Sequence, residues 1–125
     1  MARGFQQAVT KTRFSVRFIE SIKDQIRESM KNNGIGVKRQ ADWFGEALVS
    51  FKKQLMNEDT DIVADMSLFE PLTSKVPSMT ITLNGEGYTA YMEMVALLDE
   101  HGFTDSKTRI LSASTFSRLL KEGFI

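Results

Sequence analysis

The sequence predicts an α+β, mostly helical protein in which a short strand followed by two helices occurs twice. Two observations carry that expectation. Two six-residue stretches, Arg13 to Phe18 and Ser78 to Leu83, alternate apolar and polar residues with period two, the pattern of a strand with one buried and one solvated face. Behind each stretch, apolar residues recur at steps of three and four, the stripe of an amphipathic helix.

In the first stretch Phe14, Val16 and Phe18 alternate with Arg13, Ser15 and Arg17, so the polar face is mostly cationic. Ser21, with Asp24 three positions on, has the layout of a helix N-cap and capping box. Ile22, Ile26 and Met30 then follow at steps of four, and Asn32-Asn33-Gly34 supplies residues that tolerate a left-handed helix end. A second helix is expected from about Val37-Lys38-Arg39, with Trp43, Phe44, Ala47, Leu48, Phe51 and Leu55 along one face. Residues 57–77 turn acidic and contain Pro71 and Pro77, which reads as a linker with a helical turn around Asp61 to Phe69. Beyond it, Met79, Ile81 and Leu83 alternate with Ser78, Thr80 and Thr82, and Asn84 to Gly87 reads as a turn. Tyr88, Met92, Val95 and Leu98 then define a helix ending at His101-Gly102, and Asp105 or Ser106 caps a last helix through Ile110, Ala113, Phe116 and Leu120. Phe14 and Met79 are 65 residues apart, whereas Gly34 and Gly102, like Leu48 and Phe116, are 68 apart. A duplication with three extra residues near Gly85 accounts for both offsets.

The chain has 125 residues and a formal net charge of zero, but the charge is divided. Residues 1–55 carry 11 basic against 5 acidic side chains and residues 56–125 carry 5 against 11, which points the first half toward a polyanion. There is no cysteine and one histidine, His101, so disulfides, thiolate metal sites and nucleophile triads have no material. No pair of carboxylates is spaced for acid–base or metal chemistry, and an enzyme, a metal and a cofactor are not expected. No apolar run reaches the ~18 residues of a membrane span, nor is a secretory leader evident; a soluble intracellular protein is expected. His101 suits a helix C-terminus, as do Lys52 and Lys53. Trp43 and Phe44 read as core or interface rather than as a platform for stacking bases.

This strand-helix-helix layout over 13–55, and more loosely over 78–122, resembles the ribbon-helix-helix DNA-binding proteins of the Arc and MetJ class, and the double copy is similar to tandem regulators of conjugative plasmids. The resemblance implies a two-stranded antiparallel ribbon entering the major groove of double-stranded DNA. Its base-reading side chains here would be Arg13, Ser15 and Arg17. Lys38 and Arg39 would hold phosphates at the start of the second helix, and Lys11 and Arg3 would belong to a basic arm over residues 1–12.

Two pairings are open: the two copies of one chain, or the basic copies of two chains. The second is favoured, because it yields a symmetric ribbon with Arg13 and Arg17 twice. A unit of about 43 residues cannot bury its own stripe, so Phe14, Val16, Phe18, Trp43, Phe44, Leu48 and Phe51 would form a homodimer interface. The organisation expected is then an intermolecular ribbon-helix-helix over 13–56, a linker over 57–77 and an acidic strand-helix-helix-like accessory half over 78–125 that meets a protein partner. The resemblance implies a transcriptional regulator of a mobile element or conjugative plasmid, in the bacterial cytoplasm and at the nucleoid when bound. The alternatives are an accessory protein of a DNA-transfer complex and an antitoxin-type interaction module.

Overall fold

A computed structural model describes residues 11–18, 20–57, 61, 62, 66 and 78–124. Of the expected arm over residues 1–12, residues 1–10 lie outside them, as does most of the linker, while Lys11 and Thr12 belong to a strand rather than to an arm; Ile62 and Met66 are helical and Met66 is fully buried. The order is β1 (Lys11–Arg17), α1 (Glu20–Asn32), α2 (Gln40–Leu55), β2 (Ser78–Asn84), α3 (Gly85–Glu100) and α4 (Ser106–Lys121), with a 3-10 turn, Val37–Arg39, leading into α2. The protein is therefore α+β and mostly helical, with strand-helix-helix occurring twice among the described residues.

β1 pairs with β2 of the same chain, antiparallel, from Lys11 opposite Asn84 to Arg17 opposite Ser78. This corrects the expectation of a ribbon shared by two molecules. The physical reason is the tether: once both strands are on one chain, their pairing is intramolecular and does not require a second molecule. One copy does not bury its own stripe, and the missing surface comes from the second copy. Val16, Phe18, Trp43, Phe44, Leu48 and Phe51, expected at a dimer interface, are all buried within one chain. The Phe14 side chain lies outside the described ones.

The copies superpose in detail at their helix ends. At the end of α1, the Gly34 N–H donates to the Lys31 carbonyl (3.1 Å) and that of Ile35 to the Met30 carbonyl (2.8 Å). At the end of α3, 68 residues on, Gly102 donates to Asp99 (3.0 Å) and Phe103 to Leu98 (3.1 Å). Both are Schellman closures, with Gly34 at φ 69° and Gly102 at φ 83°, a conformation that costs glycine little. In the ribbon the offset is 65, so Ser15 and Thr80 are equivalent residues and also face each other. A local twofold axis passes between them.

One face of the ribbon points inward. Val16, Ile81 and Leu83 hardly see solvent and Met79 is half-buried. Phe18, just beyond β1, stacks on Phe44 of α2 (6.5 Å between centroids) and meets Phe116 of α4 edge-on (6.4 Å), so one ring joins both copies. α2 is the central element, packed against α3, α4 and β2. It supplies Trp43 and Phe44 where α4, 68 residues on, has Leu111 and Ser112, all four buried. Large side chains on one helix are matched by smaller ones on its counterpart in one core.

Three helix readings need adjustment. α1 begins at Glu20, which places Ser21 inside the helix rather than at its cap. Asn84 to Gly87 is no free turn: β2 runs through Asn84 and α3 starts at once at Gly85, φ 53°. The buried faces of α3 and α4 are also rotated from the expected ones, with Met92 and Leu120 exposed and Tyr91, Met94, Leu111 and Leu119 inside.

Candidate nucleic-acid interface

The other face of the ribbon points outward. Arg13 and Ser15 are exposed and Arg17 is half-buried, while across the ladder Thr80 is exposed and Thr82 half-buried. The register sets Arg13 against Thr82, Ser15 against Thr80 and Arg17 against Ser78. Alternate residues on a strand are roughly 6.6 Å apart, so the two guanidinium-bearing positions are about 13 Å apart and straddle the local axis. Both lie on β1, and of the described β2 side chains Thr80 and Thr82 share this face. Thr80 and Thr82 belong to it as much as Arg13, Ser15 and Arg17 do. Their alternation is visible in the sequence, but without the cross-strand register nothing joined them to the arginines.

The turn into α2 stands beside this ribbon: Gly36, Val37 and Gln40 line the same cleft as Met79 of β2. Gly36 is extended (φ −71°, ψ 160°), and no side chain caps the first amides of the turn. Helix N-termini leave such N–H groups to solvent or to an anion. Lys38 and Arg39 are exposed here, and Arg39 is held by Asp42 one turn on (Nε to Oδ2, 2.8 Å). Asp42 sits where a carboxylate suits the helix dipole.

The equivalent turn of the second copy is built differently. Asp105 precedes α4 in a left-handed conformation (φ 54°), and Ser106 is buried, its hydroxyl donating to Asp99 Oδ1 at 2.6 Å. Arg109 turns back, donating from Nε to the Thr104 carbonyl (2.9 Å) and lying over the Phe103 ring (5.4 Å). A carboxylate at this position repels phosphate. Exposed Lys107 is the cation nearest this turn in sequence.

The remaining polar network is structural. Trp43 Nε1 donates to the buried Ser29 hydroxyl (2.8 Å), which donates to Glu122 Oε1 (2.5 Å). Arg118 donates to Glu122 Oε2 (2.8 Å) and to the Trp43 carbonyl (2.9 Å), with its guanidinium over the indole at 4.8 Å. Burial by itself would raise the Glu122 carboxyl, but hydrogen bonds from Ser29, Arg118 and Asn33, with the Arg118 charge, hold it below its ordinary value. The network ties the ends of α1 and α4 to the start of α2. Trp43, fully enclosed, offers no stacking surface. His101 caps α3, with Nδ1 2.9 Å from the Leu97 carbonyl, and Lys52 pairs with Glu93 of α3 (2.9 Å).

Lys11 lies in β1 opposite Asn84, its side chain outside the described ones. Among the described residues there is no cluster of three or more acidic or histidine side chains placed to hold a metal ion. No described helix is long and apolar enough to cross a membrane. No family model matches this chain, and neither a curated protein nor a solved structure is significantly similar to it.

Proposed function

We propose that the chain is a sequence-specific, duplex DNA-binding regulator: a ribbon-helix-helix unit closed within one chain, whose outward ribbon face reads bases in the major groove. The observation that carries this is the two-stranded ribbon with a solvated face of Arg13, Ser15, Arg17, Thr80 and Thr82 over an apolar underside. A two-stranded ribbon fits the major groove. Arginine there pairs with the O6 and N7 of guanine, and hydroxyl side chains reach either donors or acceptors. The uncapped turn with Lys38 and Arg39 would fix the register on the backbone without reading sequence.

Because the two strands differ, the reading is directional. A ribbon made by identical molecules presents each side chain twice and suits a palindrome. Here the arginines occur once each, on one strand, so the bound site has an arginine-read strand and a hydroxyl-read strand, and one chain occupies it in one orientation. The acidic second half leaves the overall charge at zero, which weakens the salt-driven attraction to arbitrary DNA.

Mobility-shift and footprinting assays over tiled genomic fragments, at several salt concentrations, test the proposal. The expected result is a non-palindromic protected site bound by one chain, lost in the Arg13→Ala, Arg17→Ala double variant. Retention of no fragment beyond bulk DNA at any salt concentration, or an unchanged footprint in that variant, would refute it.

A further inference from the structure

A cleft of about 520 Å³ opens between α1, the turn into α2 and the start of β2. Its apolar lining comes from Ile26, Met30, Ile35 and Met79, and Val37, 86% exposed, also borders it. Lys23, Arg27 and Lys31, spaced by four on α1, line it as well, so three cations share one helix face. The clefts beside α2, toward α3 and toward α4, are lined instead by charged and small residues.

The second copy carries different chemistry at the corresponding positions. At the positions of Lys23, Arg27 and Ile35, 68 residues on, stand Tyr91, Val95 and Phe103. Tyr91 is fully buried, Val95 nearly so, and Phe103 packs against the core. At these positions the second copy places aromatic and aliphatic side chains in the core, whereas the first places cations at two of the three.

From this contrast we infer that the cleft is a binding site for a small anionic amphiphile, a medium-chain or aromatic carboxylate. The apolar body lies on Ile26, Met30, Ile35 and Met79, and the carboxylate meets Arg27 and its lysine neighbours. The volume falls in the roughly 300–1,000 Å³ range of small-molecule sites, which combine an apolar lining with a few polar groups. Arg27 is already engaged by Asp24 (2.6 Å) and lies 4.0 Å from Glu20, and Lys23 is 3.9 Å from Glu20. Glu20, Asp24 and Arg27 are all more than half exposed, and exposed pairs of this kind are weak. A ligand carboxylate over an apolar floor competes with Asp24 and Glu20 for Arg27.

Octanoate and 1-octanol are the probes, titrated into the free protein by calorimetry and by methyl NMR, so the result is independent of whether the ribbon engages DNA. Octanoate is expected to bind once per chain, to shift the methyl resonances of Ile26, Met30, Ile35 and Met79, and to bind about tenfold more tightly than octanol because of its charge-assisted contact. Arg27→Gln should remove most of that difference. Lys23→Tyr together with Arg27→Val, which installs the second copy's own residues, should abolish binding while the remaining methyl spectrum attests an intact fold. Equal affinities for the two probes, shifts at methyls away from the cleft, or unaltered binding in the double variant would overturn the assignment.

Discussion

Gly87 at the start of α3 meets Gly45 in the middle of α2 so closely that a Cβ on Gly87 would stand 2.6 Å from the Gly45 Cα. The obstacle is backbone, which cannot rotate aside. The relationship is not reciprocal: a Cβ on Gly45 would lie 3.6 Å from the Gly87 Cα, an ordinary contact. Gly87→Ala should therefore force the two helices apart and destabilise the fold by about 1–3 kcal/mol. Gly45→Ala, in a helix interior, should be neutral or stabilising by up to about 1 kcal/mol through helix propensity. Urea denaturation of the two variants checks this, and equal losses would show that the helix crossing is looser than described.

Closure of the ribbon within one chain changes what a core truncation does. Phe44 is fully buried and stacks on Phe18, so Phe44→Ala should cost about 3–5 kcal/mol. The unfolding midpoint of both the parent and the variant should be independent of protein concentration, since no subunit is released. A midpoint that rises with concentration would reveal a dimer that buries further surface.

Much of this arrangement could be read from local pattern. The alternation of Phe14 to Phe18 and of Met79 to Leu83 located both strands, and Gly34 and Gly102 located two helix ends, because each is dictated by neighbours in sequence. Partner choice was not legible in the same way. The stripe of Trp43, Phe44, Leu48 and Phe51 announces that it needs cover, but an apolar face carries no mark saying whether the cover lies on the same chain. The faces of α3 and α4 were misplaced for a related reason: Met92 and Leu120 are apolar yet exposed, whereas Ser114 and Thr115 are buried and donate to the Leu111 carbonyl. Hydroxyl groups satisfied by their own helix can enter a core, which a binary apolar/polar pattern does not register. The site divided likewise. Arg13 and Arg17 declared themselves by charge, but Thr80 and Thr82 joined them only through the register.

Acid should loosen the tie between α1 and α4. The Glu122 carboxyl is held below its ordinary pKa in the folded chain, so its contribution to stability is fully present above the unfolded value of about 4.3 and is lost as pH falls through the lower, folded value. Glu122→Gln removes the titrating group. The variant should be less stable than the parent at pH 7, and the gap between them should narrow below about pH 4. Thermal melts of both proteins from pH 3 to 7 provide the check; a gap that stays constant would mean that the contacts to Ser29, Asn33 and Arg118 act without the charge.

The ribbon and the neighbouring turn should fail differently when changed. Arg13→Ala or Arg17→Ala should each cost about 1–3 kcal/mol at the specific site and relax its sequence requirement, with folding intact, because each removes a base-reading group. Lys38→Ala should instead weaken binding evenly across sequences and reduce the salt slope by about 1. Arg39 is a third case, since Asp42 holds its guanidinium at 2.8 Å. In Asp42→Asn that competitor is gone and a negative charge near the expected phosphate disappears, so DNA affinity should rise and its salt dependence steepen. The same change removes a carboxylate from the first turn of α2 and should cost about 0.3–1 kcal/mol of stability through the helix dipole. Affinity and stability thus move in opposite directions in one variant. Binding isotherms at three salt concentrations, set beside denaturation curves, separate the two effects, and a loss of affinity in Asp42→Asn would place the phosphate somewhere other than the Gly36–Gln40 turn.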